Sequence, residues 1–416
     1  MKQYKRVIDD RWSFRTANTK EYTHCYHTYP AMMIPQIART LIEQYKPQGE
    51  LNTLLDPYVG SGTSLVESSI TGINSIGTDL NPLARFISRV KTTHYNVDSV
   101  QLSLAKIQEE LKKFDVEKVV NKNFDRISNY SFWYTEDSLF RLSYLSQVID
   151  TFCDESVKDF FLLALSETVR EVSFTRNGEF KRFKMSEKSL AKFNPDVFAL
   201  FENKVLRNLK GLREFNGKKN NVQVGIYDFN STEGIPVDII KPNSIDMVVT
   251  SPPYGDSHTT VAYGQFSRWA NEWFNFEHAK DLDRLLMGGK KCSEELFNTD
   301  TLREVLDAIK GKDEKRYWEV VSFLNDYYLS MKNVANVVRA GGVVCYVVGN
   351  RTVKNIQIPL DYFTAEAFEQ FGFDHEVTIV REIPNKRMPS KTSPTNIAGD
   401  KVSTMNNEYI VILKKK

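Results

Sequence analysis

The sequence predicts an α/β fold: a seven-stranded, mostly parallel sheet with helices on both faces and a largely helical insertion. Short apolar runs, each closed by a turn or an acid, alternate with helix-length amphipathic stretches. One run, Leu54-Leu55-Asp56, leads through Pro57-Tyr58-Val59-Gly60-Ser61-Gly62-Thr63-Ser64 toward a helix, and a second strand and acid complete the unit within about 30 residues. Almost two hundred residues later (about 190) another run, Val248-Val249-Thr250, ends in Ser251-Pro252-Pro253-Tyr254, where an open sheet of this kind keeps its ligands.

Taken in order, Leu51 to Leu55 is a buried strand ended by Asp56-Pro57. Gly60 and Gly62 allow a tight turn and close approach of backbone to a ligand. Ser64 with Glu67 forms a capping-box pattern, Leu65, Val66 and Ile70 supply an apolar helix face, and Gly72 is its stop. Ser75 to Asp79 is the next strand, and Asn81-Pro82 opens a further helix with Asn81 as cap. Residues 97–221 carry no strand motif and read as a helical insertion, with Phe160 to Leu165 as a buried helical run. Residues 1–96 and 222–416 are then the two parts of one sheet domain. Val222 to Tyr227, Ser244 to Thr250 and Val343 to Gly349 continue the sheet. Glu376 to Glu382 and Glu408 to Lys414 close it, one of them antiparallel, with the irregular, basic stretch Pro384 to Asn406 between them.

Length and composition fit this frame. A chain of 416 residues, 41% hydrophobic and 26% charged, has the profile of a soluble globular protein. No run approaches the ~18 apolar residues of a membrane span, and Asp9-Asp10-Arg11 stands where a signal peptide needs an apolar core, so a cytoplasmic protein with no membrane partner is expected. Cys25, Cys153, Cys292 and Cys345 are scattered without C-x-x-C spacing. His24, Cys25 and His27 cluster without a second ligand group, so no metal site is expected. Net charge is only +2, yet Lys and Arg outnumber Asp and Glu about two to one between Arg170 and Lys219, and Arg381, Lys386, Arg387 and Lys391 lie close together. Arg176, Lys181, Arg182 and Lys184 are interleaved with aromatics, a pattern that serves either a nucleic-acid surface or an amphipathic helical edge.

The two motifs carry the chemistry. A dinucleotide fingerprint would place glycine at position 65, which is Leu65, and Asp56 before the turn suits a pyrophosphate poorly. A carboxylate there suits a cofactor with an amino-acid ammonium group and no phosphate, and S-adenosylmethionine fits. Asp79 stands where a doubly wound fold places its acid for ribose hydroxyls. In Ser251-Pro252-Pro253-Tyr254 the prolines remove amide hydrogens and leave carbonyls that only accept. An exocyclic amino group offers two donors: the Ser251 hydroxyl can take one and a carbonyl of the Pro252-Pro253 segment the other, while Tyr254 offers a ring for stacking on the base.

With these motifs the chain resembles the S-adenosylmethionine-dependent DNA amino-methyltransferases of restriction-modification systems, and Ser251 places the resemblance in their cytosine-N4 branch. The resemblance implies a Rossmann-like class I methyltransferase fold. It implies cofactor contacts from Tyr29 and Pro30, within His27 to Pro35, from Asp56, Pro57, Gly60, Ser61, Gly62, Thr63 and Ser64, and from Asp79, Leu80 and Asn81. It adds Asp228, at the end of Ile226-Tyr227-Asp228, as the acid that meets the adenine amino group. Ser251, Pro252, Pro253 and Tyr254 become the catalytic unit acting on a flipped cytosine in double-stranded DNA. Residues 97–221 become the candidate target-recognition region, and Arg176, Lys181, Arg182, Lys184, Lys386, Arg387 and Lys391 the DNA contacts. A cognate restriction endonuclease acting separately is the implied partner. Adenine-N6 methylation needs the same two acceptors and stays open, as does an RNA base-amino substrate. Ring-carbon cytosine methylation is set aside, because the residues before the four cysteines are His24, Phe152, Lys291 and Val344 rather than the proline usual before that nucleophile.

Overall fold

The computed structural model describes residues 3–47, 52–176, 178–256, 259–383, 391–392, 402–403 and 406–416, with the side chains of 391, 392, 402 and 403 excepted. Its centre is an eight-stranded sheet built from Arg6–Ile8 (β1), Thr53–Asp56 (β2), Asn74–Thr78 (β3), Val224–Tyr227 (β4), Ile245–Thr250 (β5), Val338–Val348 (β6), Phe373–Glu382 (β7) and Asn407–Lys415 (β8). The spatial order is β1-β7-β8-β6-β5-β2-β3-β4, and β8 alone runs antiparallel to its neighbours. The sheet thus has one strand more than the seven expected. The extra strand is the edge piece Arg6–Ile8, three exposed residues paired with Thr378, Ile379 and Val380. Nothing in its side-chain pattern announces it; the free edge of β7 does.

The chain winds outward from β2 through β3 to β4, then returns past β2 to lay down β5 on its other side. The carboxyl ends of β2 and β5 therefore diverge into a crevice, the ligand position of an open α/β sheet. Both central strands are buried on both faces: Leu54 and Leu55 of β2 and Met247, Val248 and Val249 of β5 are all inaccessible to solvent.

Local chemistry explains the elements around this crevice. Helix α1 spans Pro35–Tyr45 and packs on α2, Thr63–Thr71, which ends at Gly72 with φ 81°. The expected Ser64–Glu67 capping box does not form. Gly62 is the cap residue, and Glu67 is fully buried instead, bound to His24 Nε2 at 2.8 Å and Arg39 Nε at 2.8 Å. A guanidinium and an imidazole together outcompete one backbone N–H. Helix α3, Pro82–Thr92, starts as expected, with the Asn81 side chain accepting from Leu83 N–H at 3.2 Å.

The insertion is helical, with Val97–Leu111, Glu136–Phe152, Lys158–Glu171 and Val197–Asn216 as its long helices. It is not closed on itself. Its apolar core is shared with Leu83, Ile87 and Val90 of α3 and with Phe266, Trp269 and Trp273 of the later helix Tyr263–Trp273. The Trp269 indole donates to Thr175 Oγ1 at 2.9 Å and the Trp273 indole to Ser146 Oγ at 3.1 Å, so both buried N–H groups are satisfied within the insertion. On the other face, the 24-residue helix Glu314–Val337 and helix Leu360–Gln370 cover β6 and β8. Among the described residues no helix is long and apolar enough to cross a membrane.

Candidate active site

A cavity of about 340 Å³ lies over the crevice, within the size range of small-molecule sites. Its walls come from segments far apart in sequence: Tyr29 and Pro30 before α1, Asp56 to Ser61 after β2, Asp79 to Asn81 after β3, Phe229 to Glu233 after β4, and Ser251 and Pro253 after β5. Of the residues expected at the cofactor, Tyr29, Pro30, Asp56, Pro57, Gly60, Ser61, Thr63, Ser64, Asp79, Leu80 and Asn81 all line it.

Asp56 is buried at the end of β2. Its Oδ1 accepts from the Thr250 hydroxyl at 2.6 Å and from Tyr58 N–H at 3.1 Å. Burial pushes its pKa up to about 6, against the pull of those hydrogen bonds. Among the described residues no Lys or Arg pairs with it, so a buried carboxylate faces the cavity without a counter-charge. Such a group favours a cationic ligand. Asp79 is held differently: Oδ1 accepts from Asn81 N–H at 2.8 Å and Oδ2 from Gly60 N–H at 3.0 Å. Each oxygen is fixed by one backbone N–H and retains lone pairs for hydroxyl donors. Burial raises the Asp79 pKa as well.

The two glycines of the turn differ in role. Gly60, φ 49°, borders the cavity beside Tyr29. Gly62, φ 78°, does not line it; a Cβ there would sit 2.9 Å from Ser88 Oγ and 3.0 Å from Ser88 Cα. The absence of a side chain at Gly62 lets α3 pack against the turn. The Ser88 hydroxyl donates to the Gly60 carbonyl at 2.9 Å, and the buried Lys91 ammonium to the Ser61 carbonyl at 2.7 Å. Burial pushes the Lys91 pKa down to about 7. Beneath them His24 and His27 are buried, and that burial lowers both to about 4. Among the described residues no group of three or more His, Cys, Asp or Glu could hold a metal ion.

Three more of the expected residues lie outside the cavity lining. The Asp228 side chain is 75% exposed, 4.0 Å from Arg85, and outside the cavity. Strand β4 ends at Tyr227, and the following residues Phe229 and Asn230 turn into the wall in its place. Tyr254 does not line the cavity and offers no ring to it. Its hydroxyl lies 3.2 Å from Ser251 Oγ and donates to Glu408 Oε1 at 3.2 Å. Pro252 is buried behind Ser251 and Pro253, which alone of the tetrapeptide reach the cavity.

The expected DNA contacts also separate. Arg182 is drawn into packing, its guanidinium 4.8 Å from the Trp269 ring and 5.9 Å from Trp133. Lys184 lies 3.7 Å over Phe132. Arg176 is exposed and paired with Glu179 at 3.3 Å, while Lys181 is half-buried. Lys386 and Arg387 lie outside the described residues, and of Lys391 only the backbone is described, in a short strand paired with Val402–Ser403. Arg381, grouped by sequence with these cations, is only 2% exposed and ion-paired with Glu408.

Sequence reasoning missed several groups. Tyr263 lines the cavity and stacks on Tyr29 with ring centroids 6.0 Å apart. Lys290 and Asp326 line its far side, and Asp326 accepts from Gly288 N–H at 2.8 Å. None of them sits in a local pattern that marks it.

Comparison with known proteins decides what the cavity belongs to. The chain is 40% identical over 428 residues to the type II methyltransferase M.MvaI of Kocuria varians, covering 96% of this chain and 93% of that protein. It is a type II methyltransferase. The type II methyltransferase M.BsoBI of Geobacillus stearothermophilus is 22% identical over 89% of this chain and 84% of its own length. M.MjaII of Methanocaldococcus jannaschii is 32% identical over 26% of this chain and 20% of its own length. No protein-family model matches the chain. The methyl donor of this methyltransferase is S-adenosylmethionine, and the cavity fits it: an uncompensated carboxylate for an ammonium, a backbone-fixed carboxylate for hydroxyls, and apolar Leu80 and Phe229 for a ring.

Proposed function

We propose that this methyltransferase is the modification enzyme of a restriction-modification system and transfers the methyl group directly to the exocyclic N4 of a flipped cytosine in double-stranded DNA. One observation carries the proposal: Asp56 and Ser251, from diverging strand ends, open onto the same cavity. When bound, the cofactor supplies a methyl group on a sulfonium centre. Asp56 holds its ammonium, Asp79 orients its ribose hydroxyls, and Pro57, Leu80 and Phe229 exclude water from its base. Ser251 Oγ and a carbonyl of Pro252-Pro253 each accept from the cytosine amino group. That withdraws the nitrogen lone pair from the ring and aims it at the methyl carbon; the N–C bond would form as the sulfur–methyl bond breaks, and the surplus amino proton would pass to solvent. No cysteine lines the cavity among the described residues, in keeping with direct transfer rather than a covalent ring adduct. The helical insertion is the proposed reader of sequence, with Arg176 and Lys181 at its basic edge and the 386–391 stretch as a second phosphate contact.

Nucleoside mass spectrometry tests this on mixed-sequence duplex DNA incubated with isotopically labelled S-adenosylmethionine. The expected product is labelled N4-methylcytosine. Label in N6-methyladenine would keep the mechanism and overturn the base assignment; label only in a parallel RNA sample would overturn DNA as substrate.

A further inference from the structure

The tetrapeptide is tied to the last two strands by a chain of hydrogen bonds. Ser251 Oγ lies 3.2 Å from the Tyr254 hydroxyl, and the Tyr254 hydroxyl lies 3.2 Å from Glu408 Oε1. Glu408 Oε2 takes the Arg381 guanidinium. Arg381 and Glu408 are register partners across β7 and β8, so the pair is set by sheet pairing rather than by a loose loop. Arg381 is 2% exposed and has no other ion-pair partner among the described residues.

The order of donors along this chain has a consequence. A carboxylate that takes a guanidinium on one oxygen presents the other as an acceptor. The Tyr254 hydroxyl has one proton, and Glu408 takes it. The Ser251 hydroxyl must then give its own proton to the Tyr254 oxygen, which leaves Ser251 Oγ with its lone pairs toward the cavity it lines. A free serine hydroxyl would rotate and present donor or acceptor alike. An exocyclic amino group carries the donors, so only the acceptor orientation serves it.

We infer that Glu408, fixed by Arg381, acts through Tyr254 to polarise the Ser251 hydroxyl as a committed acceptor for the target amino group. Glu408 and Arg381 are positioning residues; neither touches the base. The inference rests on the reading of Ser251 as an amino-group acceptor. It also gives the Tyr254 hydroxyl a task distinct from ring stacking and removes Arg381 from any surface role.

The decisive variant is Tyr254→Phe, which keeps the ring, removes the hydroxyl and leaves the Arg381–Glu408 pair intact. In the full chain, single-turnover methylation of duplex DNA should fall about tenfold, the effect of one misoriented hydrogen bond at a reacting group. Cofactor affinity by calorimetry should stay within about twofold. The same substitution in a Ser251→Ala background should cost nothing further, because Tyr254 acts through Ser251. Glu408→Leu with Arg381→Met, which removes both charges together, should reproduce the Tyr254→Phe loss. A Tyr254→Phe rate within twofold of wild type would overturn the inference, and so would full additivity with Ser251→Ala. Failure of the wild-type chain to methylate DNA at all would instead overturn the reading beneath it, and this inference with it.

Discussion

The glycine turn at 56–64 and the aromatic, basic segment at 174–185 were both marked by residue type, yet they spend their polar groups in opposite ways. In the turn, Asp56 has no counter-charge among the described residues and is aimed into a cavity. In the segment, the Arg182 guanidinium lies near the Trp269 and Trp133 rings, and Lys184 lies on Phe132. The first arrangement costs the free protein stability and keeps an interaction in reserve for a ligand. The second consumes its charges in packing. A binding group is recognised by what the fold leaves unsatisfied, not by its residue type.

The sharpest way to break this contrast is Asp56→Ala. It should weaken S-adenosylmethionine binding by roughly a hundredfold or more, the loss expected when one partner of a buried charge pair is removed. The unfolding midpoint of the free protein should hold or rise, since an uncompensated buried carboxylate disappears. Unchanged affinity in calorimetry would remove Asp56 from the ammonium site. The wild-type protein has a matching pH signature. With the Asp56 pKa near 6, the carboxylate is ionised above that value and protonated below it. Cofactor affinity should therefore fall about tenfold between pH 7 and pH 5, and Asp56→Ala should lose this dependence.

Gly62→Val strikes the same turn from its packing side. Its φ of 78° and the 3.0 Å approach to Ser88 Cα leave no room for a side chain. The substitution should destabilise the fold by roughly 2–4 kcal/mol, read as a lowered denaturant midpoint. A loss of cofactor affinity without loss of stability would return Gly62 to the ligand.

What was legible in the sequence follows the same division. Strand β2, its turn, β3 and the Asn81-Pro82 start are fixed by neighbours a few residues apart and form within a residue or two of where the pattern places them, and α2 ends at Gly72 as expected although its cap is Gly62 rather than Ser64. Ser251 reaches the cavity for the same reason: two prolines fix its backbone at a strand end. The misplaced residues depend on distant chain. Tyr254 and Arg381 are claimed by Glu408, Glu67 by His24 and Arg39, and Arg182 by Trp133 and Trp269. Arg6–Ile8 becomes a strand only because β7 offers it an edge. No local window contains those partners, and the cavity wall from Tyr263, Lys290 and Asp326 is hidden likewise.

The smallest expected effects divide the basic segment itself. Arg182→Met keeps much of the aliphatic stem but removes the guanidinium beside Trp269. It should cost about 1 kcal/mol of stability, the worth of a partly buried cation–π contact, while leaving the salt dependence of DNA binding unchanged. Arg176 presents the reverse case. Its side chain is 53% exposed and its pairing with Glu179 is open to solvent, so it contributes little to the fold. If it follows a phosphate, Arg176→Ala should leave the unfolding midpoint where it is and lower the slope of log affinity against log salt by about one. Fluorescence anisotropy over a salt series, run on both variants, separates the two. Equal slopes for Arg176→Ala and wild type would place the whole segment with the packing residues and leave the DNA surface to other parts of the chain.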